Sequence, residues 1–549
     1  MAPDAPADIV LTGGTVYTVD AARPRAGAIA ARAGRIVAVG NERDIKGHIG
    51  PRTRVVDLTG RMVVPGFQDA HVHPVHGGLN QLRCELRGAR GREGYLELIA
   101  AYATAHPDRP WIVGGGWYMD DFPRGTPLRE DLDAIVPDRP VYLTNRDGHG
   151  AWVNSRALAI AGVDASTADP PDGRIERDAD GRPSGTLHDG AATLVELHVP
   201  PATAEEIVEA LRIGQRYLHS LGITAWQDAI VEDDQFGAYT TLAARGELTA
   251  RVVGALWWER SRGDEQIEEL IERRTRGRIG RFSPTSVKIM QDGVLETFTG
   301  AMIEPYLDGN GGSSGNRGLS FVDPARLPGY VTRLDAEGFQ VHFHAIGDRA
   351  VREALDALEA ARNAHGLTDG RHHIAHIQVV HPDDLPRFAG LGVVANAQPY
   401  WACHEGQMDT LTIPFLGPER TTWQYPFKSL LKSGARLAMG SDWSVSTPNP
   451  LLEIEVAVTR VADITRDAPP FLPAERLDLA EAVEALTMGS AYVNHLDAET
   501  GSIEAGKAAD LVVLDRDLFA PDAGPIGDAR CLMTLVEGVP VFEDPGLDG

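Results

Sequence analysis

The sequence predicts an α/β fold: a (β/α)8 TIM barrel with a composite β-sandwich from both termini and an α/β insertion after strand 1. Three observations predict it. Eight short apolar segments recur between residues 64 and 441, with helical patterns between several of them, the alternation expected of a parallel barrel. Strand-like runs broken by Gly, Pro and Asp crowd both ends of the chain. Residues 74–200 separate the first two barrel segments, far beyond the ~2–6 residues of an ordinary βα loop.

Taken in order, residues 8–11, 14–18, 28–30, 35–39 and 54–57 read as short strands set apart by turn-forming residues. Residues 509–514 and 536–542 have the same texture. A few strands at each end bury too little alone, so residues 1–63 and 500–549 are expected to pair as one β-sandwich domain. Residues 64–499 then form the barrel. Its strands are placed at 64–71, 222–228, 251–257, 286–292, 340–345, 372–377, 392–397 and 436–441, and its clearest helices at 203–221, 263–275, 348–365 and 478–490. A doubly wound sheet is the competing layout, but no Gly-rich first βα turn is present. Residues 74–200 hold strand-like runs of their own at 111–117 and 140–144 and are expected to lie over the barrel mouth. The Gly/Ser run at 309–318 reads as a flexible loop.

Composition narrows the function. Of 549 residues 43% are hydrophobic and 24% charged, and the net charge is −26. Non-specific nucleic-acid or anionic-membrane binding needs basic patches, which so acidic a chain disfavours. Three scattered cysteines form no Cys-x-x-Cys pair, so a metal must be held by His and carboxylate. The first residues lack a basic, apolar leader, and no run approaches the ~18 apolar residues of a membrane span. A cytoplasmic location is expected.

The histidines carry the chemistry. His71 and His73 close the first barrel strand at alternate positions, so an extended backbone aims both at one point. Alone, a surface His-x-His binding nothing explains them equally well. Lys288 lies in the fourth strand, His342 and His344 in the fifth; His376 ends the sixth and Asp442 the eighth. Each polar residue set in an apolar run is costly to bury unpaired. A single one is usually a satisfied core residue, but five strands directing such groups to one barrel end, where barrel active sites lie, make a metal site. Imidazole and carboxylate without thiolate fit Zn2+, one ion or two, or another divalent metal. Lys288 admits two readings: an ion pair with Asp292 or Glu296, or a CO2-capped carbamate bridging two ions.

These residues resemble the metal-dependent amidohydrolase superfamily, specifically its YtcJ-like branch, amidohydrolase family 3. The resemblance runs along nearly the whole chain, through PGFQDAHVH (65–73), RDGHGAWVNSRAL (146–158), SVKIMQDGVLETFTGAMIEPY (286–306), HFHAIGD (342–348), HHIAHIQ (372–378), GSDWSVSTPNP (440–450) and GSIEAGKAADLVVLD (501–515). It implies His71, His73, carbamylated Lys288, His344, His376 and Asp442 as metal ligands, with His342 a neighbour only, and a homodimer.

The expected reaction is hydrolysis of a non-peptide carbon–nitrogen bond in an amide or N-acyl/N-formyl amine. Asp442 is the expected general base and then acid, and His376 helps polarise the carbonyl. His149 is the favoured substrate contact; Trp117, Tyr118, Arg146, Trp152, Gln398, Trp401 and Trp443 are further candidates, though each alone is more often core or scaffold, and they point to a small-molecule substrate with an apolar or aromatic part. Glu296 and Tyr306 follow the strand-four lysine and rank below these; His188, His404 and Cys403 stay unassigned. Alternatives are a cyclic-amide hydrolase or deaminase, an ester or carbamate hydrolase, or a non-catalytic metal-stabilised protein. Deaminases of this superfamily carry a Glu after strand five or six, where this chain has Ala345-Ile346-Gly347 and Ile377-Gln378. A purely structural site has no use for a base such as Asp442.

Overall fold

A computed structural model describes residues 5–548. Its centre is a nearly closed eight-stranded parallel barrel: β1 (Phe67–Val72), β2 (Ile223–Val231), β3 (Arg251–Trp257), β4 (Phe282–Met290), β5 (Gln340–Ala345), β6 (His373–His376), β7 (Val394–Ala397) and β8 (Arg436–Met439). The ladder runs β1 to β8 without interruption, and the ends meet just beyond the strands. There Asp442 N donates to His71 O (2.7 Å) and His73 N to Trp443 O (2.6 Å). Gly440 permits this seam, since a Cβ on it would stand 2.4 Å from His71 N.

Alternation sorts each strand into two faces. Val287, Ile289, Val341, Phe343 and Ile374 join helix residues Val331, Ala350 and Leu355 in the main core, leaving Lys288, His342 and His344 to point inward. The lower interior is polar, unlike the branched apolar layers usual in such barrels. Gln227 Nε2 donates to Gln340 Oε1 (2.9 Å) and Asn494 Oδ1 (3.1 Å), while Gln227 Oε1 meets His373 Nε2 at 2.9 Å. On the outside, the helix Asp348–His365 buries Ala350, Ala354, Leu355, Leu358 and Ala361 along one stripe, the spacing of an amphipathic helix.

Strand four begins at Phe282 rather than near 286: Pro284 reads as a breaker, yet the parallel ladder to β3 accommodates it. The helix expected at 478–490 is Leu479–Glu484 followed by a π turn, Ala485–Gly489, and the one expected from 263 starts at Ile267.

A second eight-stranded sheet joins both chain ends, in the order Val539–Glu543, Cys531–Val536, Leu511–Leu514, Met62–Pro65, Ile9–Tyr17, Arg25–Arg32, Arg35–Gly40, with Arg54–Asp57 also on Ile9–Tyr17. Residues 8–11 and 14–18, read as two strands, are one strand whose register shifts between Thr12 and Val16 around Gly13 (φ 91°), a bulge. Residues 536–542 are instead a hairpin turning at Glu537 and Gly538, both with positive φ, as a two-residue type I′ loop requires. Val63, Leu511 and Val513 fill this sheet's own core, whereas Met62, Val64, Val512 and Leu514 belong to the barrel core. Arg251, at the start of β3, is buried against Asp510 and reaches Glu537 Oε1 (2.7 Å), whose other oxygen meets Arg281 (2.6 Å).

Between β1 and β2 the chain forms a six-stranded sheet, ordered Gly173–Arg177, Pro183–Asp189, Gly150–Val153, Val141–Asn145, Ile112–Trp117, Cys84–Glu85. Among the described residues no helix is long and apolar enough to cross a membrane.

Candidate active site

The β8–β1 seam builds the centre of the site, because it carries Asp442 to the end of β1. Asp442 Oδ1 lies 2.9 Å from His73 Nε2 and 3.4 Å from His71 Nε2. Lys288 Nζ stands 3.4 Å from the same His71 nitrogen. The His376 ring lies 4.7 Å from that of His71 and 4.4 Å from that of His344, centroid to centroid, with His376 Nδ1 3.9 Å from Asp442 Oδ2. All six side chains are buried.

His376 needs a special backbone to arrive there. It pairs with Ala345, and both its strand neighbour Ile374 and Ala345 face the helices, so strict alternation would turn His376 outward. Positive φ at His376 (75°) and Ile377 (43°) breaks the alternation and brings the imidazole inward; Asp442 is likewise left-handed (φ 54°). Such conformations cost of order 1–3 kcal/mol each for non-glycine residues and gather at functional sites. Gln398 steadies the bend: its Oε1 accepts His376 N (2.6 Å) and its Nε2 donates to Asn396 (3.1 Å).

Burial holds His71, His344 and His376 well below the usual imidazole range, so they are neutral, the form that binds metal. Burial lowers Lys288 to about 7. It works to raise Asp442, but the His73 and His376 imidazoles outweigh it and keep that carboxyl below its ordinary value. His73, His71 and Asp442 offer donor atoms within 4.8 Å of one another. Among the described residues His73 Nδ1 and His376 Nδ1 are buried without a hydrogen-bond partner, which costs ~1–3 kcal/mol each if nothing else satisfies them. A divalent cation answers that deficit, and the donor set suits one.

A family model described as "Amidohydrolase family" matches residues 54–542. This chain belongs to the amidohydrolase family. The amidohydrolase is 33% identical over 98% of its length to protein LONG AFTER FAR-RED 3 of Arabidopsis thaliana (92% of that protein). It is 30% identical over 97% to putative amidohydrolase YtcJ of Bacillus subtilis (98% of that protein). With N-substituted formamide deformylase of Arthrobacter pascens it shares 28% over 98% of its length and 99% of that chain. Among solved structures, an uncharacterized metal-dependent hydrolase from Pyrococcus horikoshii superimposes with a TM-score of 0.72 at 25% identity, covering 93% of this chain and 97% of that one. The amidohydrolase is thus a metal-dependent hydrolase.

Above the cluster opens a cavity of about 1010 Å³, walled by barrel ends and by residues of the six-stranded sheet. His149, Arg146 and Trp401 of the expected substrate contacts line it. Trp401 stacks on His376 (5.5 Å, 12°). Arg146 is held by Glu405 at 3.2 Å and lies over the Tyr118 ring. Tyr118, Gln398 and Trp443 stand behind the wall: Trp443 packs where a Cβ on Gly77 would meet it at 2.4 Å. Trp117 and Trp152 are elsewhere. Both are fully buried in the core of the six-stranded sheet, donating indole N–H to Leu143 O and Leu128 O; large aromatics satisfied in this way are packing elements. Tyr306 donates to Gly300 O at 2.6 Å and Glu296 accepts from Thr412 at 2.7 Å, neither facing the cavity. Asp292 does not pair with Lys288. It accepts Ala301 N, Ile346 N and Gly347 N and stands 3.6 Å from His344 Nε2.

Sequence reasoning named His342 only as a strand neighbour and missed Asp189 altogether. His342 Nε2 meets His71 Nδ1 at 2.8 Å, fixing how the first imidazole is turned; its i, i+2 spacing from His344 was the available signal. Asp189 Oδ1 lies 2.7 Å from His149 Nδ1, and no motif announced it. Burial works to lower His149, but the hydrogen bond and charge of Asp189, with Asp147 and Asp442, push it up to about 9.

Proposed function

We propose that this amidohydrolase cleaves a carbon–nitrogen bond in an N-acyl or N-formyl amine. The observation that carries the reading is the buried His71–His73–Asp442 donor cluster at the floor of a large cavity. His71, His73, His344, His376 and Asp442 would hold zinc or a similar divalent ion. Lys288, lowered to about 7 by burial, is shifted towards the free amine that CO2 caps, and as a carbamate would help hold a second ion. Metal bound there supplies Lewis-acid polarisation of the carbonyl and lowers the pKa of attacking water from ~16 to ~7.

The chain's own groups do the rest. Asp442, ionised and buried, takes the water proton. His376 stands beside it to face the carbonyl oxygen, and Trp401 and Arg146 offer flat and polar walls for the substrate body. A cavity of about 1010 Å³ is at the upper end for drug-sized ligands, which favours a bulky or aromatic amine over a small formamide.

The test is a panel of N-formyl and N-acyl amines, esters and cyclic ureides, with metal analysis, on wild type and Asp442→Asn. N-Acyl amines are expected to be turned over, with kcat of the variant down ~10²–10⁴-fold and its metal retained. Near-normal turnover by Asp442→Asn removes Asp442 as base; turnover of ureides alone favours the cyclic-amide reading.

A further inference from the structure

We propose that His149, oriented by Asp189, protonates the leaving nitrogen as the C–N bond breaks, so that Asp442 handles only the proton of the attacking water. This rests on the amide-hydrolase reading above and assigns a second catalytic side chain from outside the barrel.

Three observations carry it. First, the imidazole is aimed. Its loop is fixed by His149 N to Asp147 Oδ1 (3.1 Å), Gly150 N to Asn145 Oδ1 (2.9 Å) and Asp189 N to His149 O (2.9 Å). With Nδ1 engaged by Asp189 at 2.7 Å, Nε2 is the atom left for a ligand. Second, the orienting carboxylate has no competing task. Asp189 Oδ2 is buried with no hydrogen-bond partner among the described residues, and Asp189 itself is held at positive φ (46°). A carboxylate–imidazole pair of this kind moves a proton at the far ring nitrogen. Third, the position fits. His149 lines the cavity, and its ring centroid is 5.7 Å from that of His344, which belongs to the cluster.

The reaction balances with two proton carriers. Water oxygen bonds to the carbonyl carbon and its proton goes to the Asp442 carboxylate. The C–N electron pair then passes to nitrogen, which takes the proton from His149 Nε2. Asp442 loses its proton to solvent and His149 regains one through the cavity mouth, so amide and water become acid and amine. A neutral amide nitrogen is too basic to leave as an anion, so some acid must meet it.

The test uses metal-replete enzyme, His149→Gln and Asp189→Asn, with a series of ring-substituted formanilides and the matched aryl formate ester, whose aryloxide leaves without a proton. His149→Gln is expected to lose ~10²–10³ in kcat on the anilides. The loss should grow as the leaving aniline becomes more basic and be at least about tenfold smaller on the ester, with KM changed less than about threefold. Asp189→Asn should show the same pattern, smaller, and keeps the test open if His149→Gln misfolds. An equal loss on anilides and ester overturns the proton-donor role and makes His149 a carbonyl or binding contact. Failure of the wild-type enzyme on every anilide overturns the amide-hydrolase reading, and the inference with it.

Discussion

Replacing Arg251 with Met should loosen one specific part of the molecule. Arg251 is 9% and Asp510 2% exposed at the side chain, and the pair ties β3 to the strand Leu511–Leu514. Methionine keeps the bulk but leaves Asp510 buried with the Glu537 backbone N–H (2.7 Å) as its remaining hydrogen-bond donor; Glu537 still has Arg281. Breaking a buried pair from one side costs ~3–5 kcal/mol, and at 1.4 kcal/mol per factor of ten that is on the order of 10²–10⁴ in a local opening equilibrium. Hydrogen exchange reads it directly: amides of 511–514 should exchange faster by about that factor, while β5 amides change little.

The effect also has a pH signature. Burial raises the Asp510 carboxyl and Arg251 opposes it, so loss of the arginine lifts the folded pKa further. A carboxyl whose folded pKa exceeds its unfolded ~3.9 holds its proton more tightly when folded. Relative to wild type, this part of the penalty is therefore absent below the wild-type folded pKa, which burial already holds above the unfolded ~3.9, grows as pH rises towards the higher folded pKa of the variant, and is complete above it. Exchange at Val512 and Val513 within about threefold of wild type at pH 7.5, or an increase that does not shrink on acidification, refutes this account.

His342→Phe removes the partner of His71 Nδ1 while filling the same space; metal affinity, measured by competition with a chromophoric chelator, should fall ~10–100-fold, the usual cost of losing a ligand's supporting hydrogen bond, and unchanged affinity would end the orienting role. Gly78→Ala places a Cβ 1.9 Å from Ala210 O, between helices Pro74–Leu82 and Ala204–Ser220; overpacking of ~1–3 kcal/mol should lower the melting temperature and, because that helix starts next to His73, the metal content too, whereas a variant matching wild type in both shows that the helices part freely.

The barrel was legible because each strand is a short apolar run, and His71, His73, Lys288, His344 and Asp442 stand out as polar residues within or just after such runs. His376 was found by type and place, but its inward turn depends on a left-handed backbone that alternation would not yield. Trp117 and Trp152 misled because an aromatic near a glycine-rich loop reads alike in a wall or a core; only packing separates them. Asp189 was invisible, being one aspartate among many whose value lies in a contact 40 residues away in sequence. Turns were missed where ordinary residues take positive φ, as at Glu537.

The shared terminal sheet sets an order of events during synthesis. Strand Met62–Pro65 has Ile9–Tyr17 on one edge at once, but its other neighbour, Leu511–Leu514, is made several hundred residues later. At ~5–20 residues per second that delay is tens of seconds. Throughout it a nascent chain presents an unpaired apolar edge, the kind that recruits wrong partners. The β8–β1 seam must also wait for Asp442, so the His71–His73–Asp442 donor group is assembled late, and a chain stalled before residue 442 would lack one side of it.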